Sequence, residues 1–550
     1  MSRLEFAKMR VLVVEDQRPF LVVLRSMANT MGAQSVVTAQ NGEAAVTACR
    51  KEKFDVIICD VHLGNDKKNG YQFLEEIRLL MYVKPETVFV MISGDNQRPV
   101  VLGSLERQPD DYLIKPFSQA QLSNRIYKAF LKKTQLKDVY RAYMKQDIDT
   151  AIATCQALIA QGCQYHQACH HLLTELYWKS QQFEQAQQML QPIMLRKPVP
   201  WAMVALARTE MFLENYEGAI TLATQVTKNR ILAVEGHDIM AQCYWRIGKL
   251  DDAINEIKRS ISLSPFSLDR QYLGADIARE NHDFHFAKQC CKAIFEQTRR
   301  SVYRDVRHLC NFVRSILDAA ENAAEKGERN KFQQEALITL QRLRSDDILS
   351  RLKQPFDYSA FEDIINARVN FLDGKISEAR KILLNVRDNL EQQHPELPIA
   401  LVPDSLKVYF DLGEFEEVET LTQRLKSDAD QLDPNVEYLL RKTGEDMVQQ
   451  VSQFKQICEK AKEKHRQGKY QAAYETYNQA LKLSPHHVDV IMSLLQSLLQ
   501  ILERRDKPEP IYITEAKKNH KLIADLKLTE QQQARYAELR TAFKRHMELS

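Results

Sequence analysis

Two rhythms of apolar and polar residues divide this chain. Over the first 130 or so residues, short and almost wholly apolar runs alternate with stretches of helical period. The runs are Val11-Leu-Val-Val, Val56-Ile-Ile-Cys, Val88-Phe-Val-Met-Ile and Tyr112-Leu-Ile. They are too short for buried helices and rich in β-branched residues, so they read as strands. Runs that are apolar at every position belong to strands covered on both faces, as in a parallel sheet sandwiched between helices. The pattern predicts a doubly wound α/β domain over residues 7–132. Strand-like runs then cease. The remaining chain is rich in Gln, Glu, Ala, Leu and Lys, and with only 16 Gly and 17 Pro in 550 residues it reads as all-α.

Each strand-like run ends in a polar group: Glu15 and Asp16, then Asp60, Ser93 and Lys115. In an open parallel sheet, ligands bind beyond the carboxyl ends of the strands. These five residues are therefore expected to converge on one crevice. Three carboxylates at close quarters repel and call for a cation, and Mg²⁺ fits as a hard ion that takes oxygen ligands and bridges carboxylates to phosphoryl groups. A carboxylate can attack a phosphoryl group and carry it as an acyl phosphate, and Asp60 is the candidate for this. Lys115 and the Ser93 hydroxyl would stabilise the phosphoryl oxygens. A cis Lys115–Pro116 bond would turn the ammonium inward.

On these residues the first 130 positions resemble the receiver domain of two-component response regulators. That family carries an acidic pair, a phosphoacceptor Asp, a Ser or Thr and a Lys-Pro, each at a strand end. Here 44, 33 and 22 residues separate Asp16, Asp60, Ser93 and Lys115 in turn. The resemblance implies a flavodoxin-like fold with Asp60 as phosphoacceptor. It implies Mg²⁺ held by Glu15, Asp16, Asp60 and the backbone carbonyl of His62. It also implies Tyr112 as the switch aromatic, Gly94 as the small residue that admits the donor, and a histidine kinase as phosphodonor. The switch would then leave through Ser93, Tyr112, a helix over 97–108, the strand over 111–114 and the helix over 118–132. The chain departs from the family in the loop Leu63–Asn69, which looks about two residues longer than usual and has Gly64 where a Pro is common.

Beyond residue 133 the chain repeats. Ala151, Ala186, Ala219, Ala253 and Ala287 each follow a short turn, at spacings of 35, 33, 34 and 34. A period near 34 is that of tetratricopeptide (TPR) helix pairs, in which small residues let helix backbones approach. Five units are expected over 134–300, a degenerate pair over 301–355, further units over 356–500 around Ala379, Val418 and Ala473, and a helical cap over 501–550. The whole reads as an α/β receiver followed by an all-α TPR superhelix, whose concave groove is lined by the first helix of each pair. Register in this repeat family places Tyr140, Tyr143, His171, Glu175, Trp178, Trp201, Arg208, Met211, Asp238, Gln242 and Trp245 on the groove. Aromatics and Arg dominate binding hot spots, so a protein partner is expected there. On this reading, cutting Trp178 or Trp201 to Ala leaves the melting temperature unchanged and loses the partner.

Charge narrows the options. Seventy-six basic and 73 acidic residues give a net charge of +3, without the basic excess of a nucleic-acid surface. No helix-turn-helix, kinase or Gly-rich nucleotide motif is present. Ten scattered cysteines, the lack of a signal-peptide core at the N-terminus and the absence of an apolar run of about 18 residues point to a cytoplasmic protein without a membrane span. His166, Cys169 and His170 with Cys163, like His282, His285 and Cys290, are read as repeat positions and not as metal ligands. Lys128–Lys133 reads as a basic helix end that complements the helix dipole. The expected function is a non-enzymatic response regulator whose phosphorylation governs protein binding. The layout resembles the VieB type of receiver–TPR regulator, which implies modulation of a kinase's phosphotransfer. Two rivals stay open on sequence alone: a phosphate sink tethered to its kinase, and a constitutive scaffold with a vestigial receiver.

Overall fold

In the computed structural model, the described residues are 6–64, 67–94, 109–196, 198–229, 232–344, 356–393, 397–428, 432–504 and 509–548. The expected helix over 97–108 lies outside them, as does 345–355. The chain forms two compact units, Met1–Arg304 and Asp305–Ser550.

The first unit opens with five parallel strands: β1 (Arg10–Val14), β2 (Ser35–Ala39), β3 (Val56–Asp60), β4 (Val88–Ser93) and β5 (Asp111–Ile114), in the order β2-β1-β3-β4-β5. Every residue of β3 and β4 is buried, which is why their sequences carry no polar alternation. Helix α1 (Arg18–Thr30) covers one face with the start of α4 (Gln119–Met144). Helices α2 (Gly42–Lys51) and α3 (Gly70–Leu79) cover the other. Asn69 and Gln72 form a reciprocal capping box at the start of α3, as Ser118 and Gln121 do for α4.

Helix α4 runs unbroken through residue 133, so one rod serves both the sheet and the first helix pair. Lys128–Lys133 is therefore mid-helix and not a helix end. Lys133 reaches back to the sheet domain, where Nζ donates to the Thr87 carbonyl at 2.6 Å and pairs with Asp110 at 2.9 Å. Arg141 pairs with Glu86. Five helix pairs follow: Gln119–Met144 (its last turns) with Ile148–Ala160, His166–Lys179 with Phe183–Arg196, Pro200–Phe212 with Tyr216–Val226, Ala233–Arg246 with Leu250–Leu263, and Leu268–Glu280 with Phe284–Thr298. The five periodic alanines all sit on second helices and are buried, since a larger side chain there would hold the paired backbones apart.

The second unit continues in helix pairs. Val306–Glu321 and Lys326–Arg344 fill the off-register segment. Val306–Glu321 is buried almost throughout, and the guanidinium of its Arg314 donates to Asp404 at 3.0 and 2.7 Å. Arg368 pairs with Asp318 at 2.7 Å. Ala379, Val418 and Ala473 occupy buried positions on second helices. Pro510–Ala524 and Glu530–Glu548 close the chain.

Candidate functional site

Strands β1, β3 and β4 end side by side, and their last residues open onto one crevice. The Val14↔Cys59 and Asp60↔Ile92 register brings Glu15, Asp60 and Ser93 level at its floor. Glu15 and Ser93 are wholly buried and Asp60 nearly so, at 4% exposure. Asp16 is the most open carboxylate, and candidate ligand oxygens of Glu15, Asp16 and Asp60 all lie within 4.8 Å of one another. Lys115 follows β5 across a cis bond to Pro116. Its Nζ donates to Glu15 Oε2 at 2.8 Å and to Asp60 Oδ2 at 3.0 Å. The other Asp60 oxygen accepts from the Val61 amide at 2.9 Å. The five predicted residues thus meet.

Electrostatics follow from this crowding. Burial raises the pKa of Asp60 above the ordinary carboxylate range, against the lowering pull of Lys115. Burial also raises Glu15, with the Asp60 charge adding to it. For Lys115, burial works against the charged form, but its bonds to Glu15 and Asp60 outweigh it and the pKa ends above normal. One ammonium therefore serves two buried carboxylates, with Asp16 close by. The donor set is all oxygen, clustered and over-negative, which suits a hard divalent cation.

The remaining predicted site residues surround this centre. His62 is exposed on the loop after β3. Gly94 is exposed, and among the described residues a Cβ built on it would meet nothing within 4 Å. Tyr112 is half-buried against the α2–α3 side of the core. Sequence reasoning missed Phe20, whose ring lies under Lys115 Nζ at 4.3 Å from its centroid and edge-on to Phe117. Nothing in the helical pattern of α1 marks that residue.

The match of residues 11–127 to the family described as response regulator receiver domain settles what this crevice belongs to. The N-terminal domain is a response regulator receiver. Residues 235–267 and 457–487 match the tetratricopeptide repeat. The chain is 35% identical over 120 residues to the two-component response regulator ARR2 of Arabidopsis thaliana, covering 22% of this chain and 17% of that protein. It is 32% identical over 127 residues to the alkaline phosphatase synthesis transcriptional regulatory protein PhoP of Bacillus subtilis (strain 168), covering 23% of this chain and 50% of PhoP. A receiver domain protein (CheY-like) from Methanospirillum hungatei JF-1 aligns at 21% identity with a TM-score of 0.21, over 23% of this chain and 97% of that one. The chain therefore spans half or less of the length of these two curated relatives. Among the described residues, no helix is long and apolar enough to cross a membrane.

The second predicted site, the TPR groove, needs correction. Tyr140 does not stand free on a groove. It is half-buried against the receiver, beneath Lys133 at 5.8 Å and beside Arg78 and Asp110. Met211 is buried in the core between the third and fourth pairs. Asp238 is held by Arg270 Nε and Nη2 at 2.8 and 2.7 Å. The three tryptophans are half-buried, each sealing the edge of a hydrophobic cluster. Trp178 bridges two first helices: Nε1 donates to Thr209 Oγ1 at 3.0 Å, its ring meets Phe212 edge-on at 5.8 Å, and Arg208 lies over it at 5.5 Å. These contacts weigh against the expectation that Trp178→Ala spares stability. Trp201 meets the exposed His171 at 5.7 Å, Glu175 lies 3.6 Å from His171, Arg246 covers Trp245, and Gln242 is half-buried. Tyr143, half-buried, carries Lys179 over its ring at 4.3 Å. His166 and His170 share no metal cluster with Cys163 and Cys169 among the described residues. All ten cysteines are buried, and none forms a disulfide.

Proposed function

We propose that Asp60 accepts a phosphoryl group from a histidine kinase and that its state governs protein binding by the TPR helices. The observation that supports this most is the meeting of Glu15, Asp16, Asp60, Ser93 and Lys115 at one sheet end. An oxygen of Asp60 attacks phosphorus, the P–N bond to the donor imidazole breaks, and the ring nitrogen keeps the bonding pair. Lys115 neutralises charge on the phosphoryl oxygens and Ser93 donates to one of them. A Mg²⁺ ion held by Glu15, Asp16, Asp60 and the His62 carbonyl would offset the remaining negative charge. Tyr112, beside β4, senses the resulting movement of Ser93. On this reading the chain is a phosphoacceptor and not an enzyme with a substrate of its own, and its output is a protein partner of the repeats.

The test is intact-mass analysis after treatment with acetyl phosphate and Mg²⁺, followed by partner capture. Wild type gains one phosphoryl group and Asp60→Ala gains none. Partner capture by the beryllofluoride-loaded wild type then differs from capture by Asp60→Ala. Phosphoryl uptake by Asp60→Ala overturns the assignment, and equal capture in both states overturns the link to the repeats.

A further inference from the structure

The receiver's helix α3 touches the repeats at its start, and its other end lies within electrostatic reach of them. Arg78, in its last turn, is half-buried and lies within electrostatic reach of Tyr140 of the first helix pair and of Asp110. At its start, Gln72 Nε2 donates to the backbone carbonyl of Gln297, at the end of the fifth pair, at 3.0 Å. Asn69, Tyr71, Gln72 and Glu75 here share a cleft with Phe266, Leu268, Gln297 and Ser301. The fifth pair thus returns to the receiver beside the loop that leaves the phosphoacceptor.

Gln72 does two things with one amide. Its Oε1 accepts from the Asn69 amide at 3.1 Å, completing the α3 cap, while its Nε2 binds Gln297. The cap is tied to Asp60 by a short chain of bonds. Asp60 Oδ1 accepts from Val61 N, and the Val61 carbonyl accepts from Gly70 N at 2.9 Å. There is no slack in this chain: a Cβ on Gly70 would lie 2.3 Å from the Asp60 carbonyl oxygen. Converting the Asp60 carboxylate to an acyl phosphate withdraws charge from the oxygens that hold Val61 N and Lys115. That change acts on the first bond of the route from Asp60 through Val61 and Gly70 to Gln72.

We propose that the fifth helix pair is the receiver's own docking partner, latched by Gln72 to α3, and that phosphorylation of Asp60 releases it. This rests on Asp60 being the phosphoacceptor and names the route by which its state reaches the repeats. That route runs through α3, in addition to the response of Tyr112 to Ser93. One hydrogen bond, at about 1 kcal/mol, corresponds to about a fivefold shift in the latch equilibrium. Coupling is reciprocal. Breaking the latch by mutation therefore tightens beryllofluoride binding about fivefold.

The test uses the full chain, Gln72→Glu and Leu268→Asp, with Mg²⁺ and beryllofluoride. Gln72→Glu keeps an oxygen for the Asn69 cap and sets a carboxylate against the Gln297 carbonyl. Leu268→Asp places a charge in the cleft that Glu75 also lines, at a first-turn position that suits an acidic residue. Calorimetry reads affinity and hydrogen exchange reads residues 265–272 and 295–301. Beryllofluoride should speed exchange there in wild type. Both variants should exchange fast without it and bind it about fivefold tighter. Binding in wild type with unchanged exchange at 295–301, or wild-type affinity in both variants, overturns the latch. Failure of wild type to bind beryllofluoride at all overturns the phosphoacceptor reading and the latch with it.

Discussion

Removing the Lys115 ammonium should destabilise the metal-free receiver and tighten its grip on Mg²⁺. In the structure, Lys115 Nζ is 2.8 Å from Glu15 and 3.0 Å from Asp60, two carboxylates with almost no solvent contact. At an effective dielectric of about 20, each pair attracts by roughly 6 kcal/mol before desolvation is charged against it. Deleting one member of a buried ion pair typically costs about 3–5 kcal/mol, because the stranded charge has nothing to replace its partner. Lys115 keeps 17% side-chain exposure, so water softens the loss and about 3 kcal/mol is expected for Lys115→Ala. Hydrogen exchange of the amides in Val11–Val14 and Val56–Asp60, followed in the intact chain without divalent ions, reads this directly. Mg²⁺ should then restore more stability to the variant than to wild type. It contributes about 2.7 kcal/mol at a hundredfold excess over its Kd, and in the variant it no longer competes with an ammonium for the same oxygens. Weaker Mg²⁺ binding by Lys115→Ala than by wild type, or unchanged exchange in β1 and β3, would refute the view that the lysine holds the metal's place.

The parts of this molecule that announce themselves in sequence are those whose cause is local. The strands show because parallel burial demands apolar residues at every position of Val56–Cys59 and Val88–Ile92. The carboxylate crevice shows because strand ends must supply its polar groups, and a Lys-Pro or an acidic pair at such an end is conspicuous. The alanine period shows because each helix pair repeats one packing constraint. Other features have their cause far away along the chain. Gln72 looks like any helix-start glutamine, and its partner is a backbone carbonyl 225 residues on, which leaves no trace in side-chain chemistry. Lys128–Lys133 suits a helix end by composition, yet Lys133 serves as a tether to Thr87 and Asp110. Val306–Glu321, in the off-register segment, keeps a helical pattern, but its polar stripe is buried too, where His308 and Asn311 meet Asp433 and Arg314 meets Asp404, partners about 90 residues or more along the chain that the pattern does not reveal. The tryptophans were placed on the correct helices, but periodicity alone does not show that Trp178 also closes the gap to the next repeat through Thr209 and Phe212.

Two further outcomes bear on the repeats. Trp178→Ala should lower stability by about 2–3 kcal/mol, below the about 3–5 kcal/mol of a fully buried aromatic, in urea unfolding followed by the two remaining tryptophans; a wild-type midpoint would return Trp178 to a free groove surface. Acid should selectively weaken the second unit through His487, which caps the helix Val488–Glu503 by accepting from Val490 N at Nδ1 and stacks on Phe454 at 4.7 Å. Burial pushes its pKa down from 6.5 to about 4, with Asp489 opposing and Arg380 and Lys462 assisting. The unfolded chain therefore takes up a proton near pH 6.5 that the folded chain refuses until about pH 4. Stability contributed by the neutral ring is complete above the higher value, drains away between the two, and is flat below the lower one. The loss across that window is at most about 3 kcal/mol. His487→Asn keeps a favoured capping oxygen and cannot titrate, so its stability should fall less than that of wild type between pH 6.5 and 4. Parallel curves for the two proteins would show that His487 is not the acid-sensitive cap.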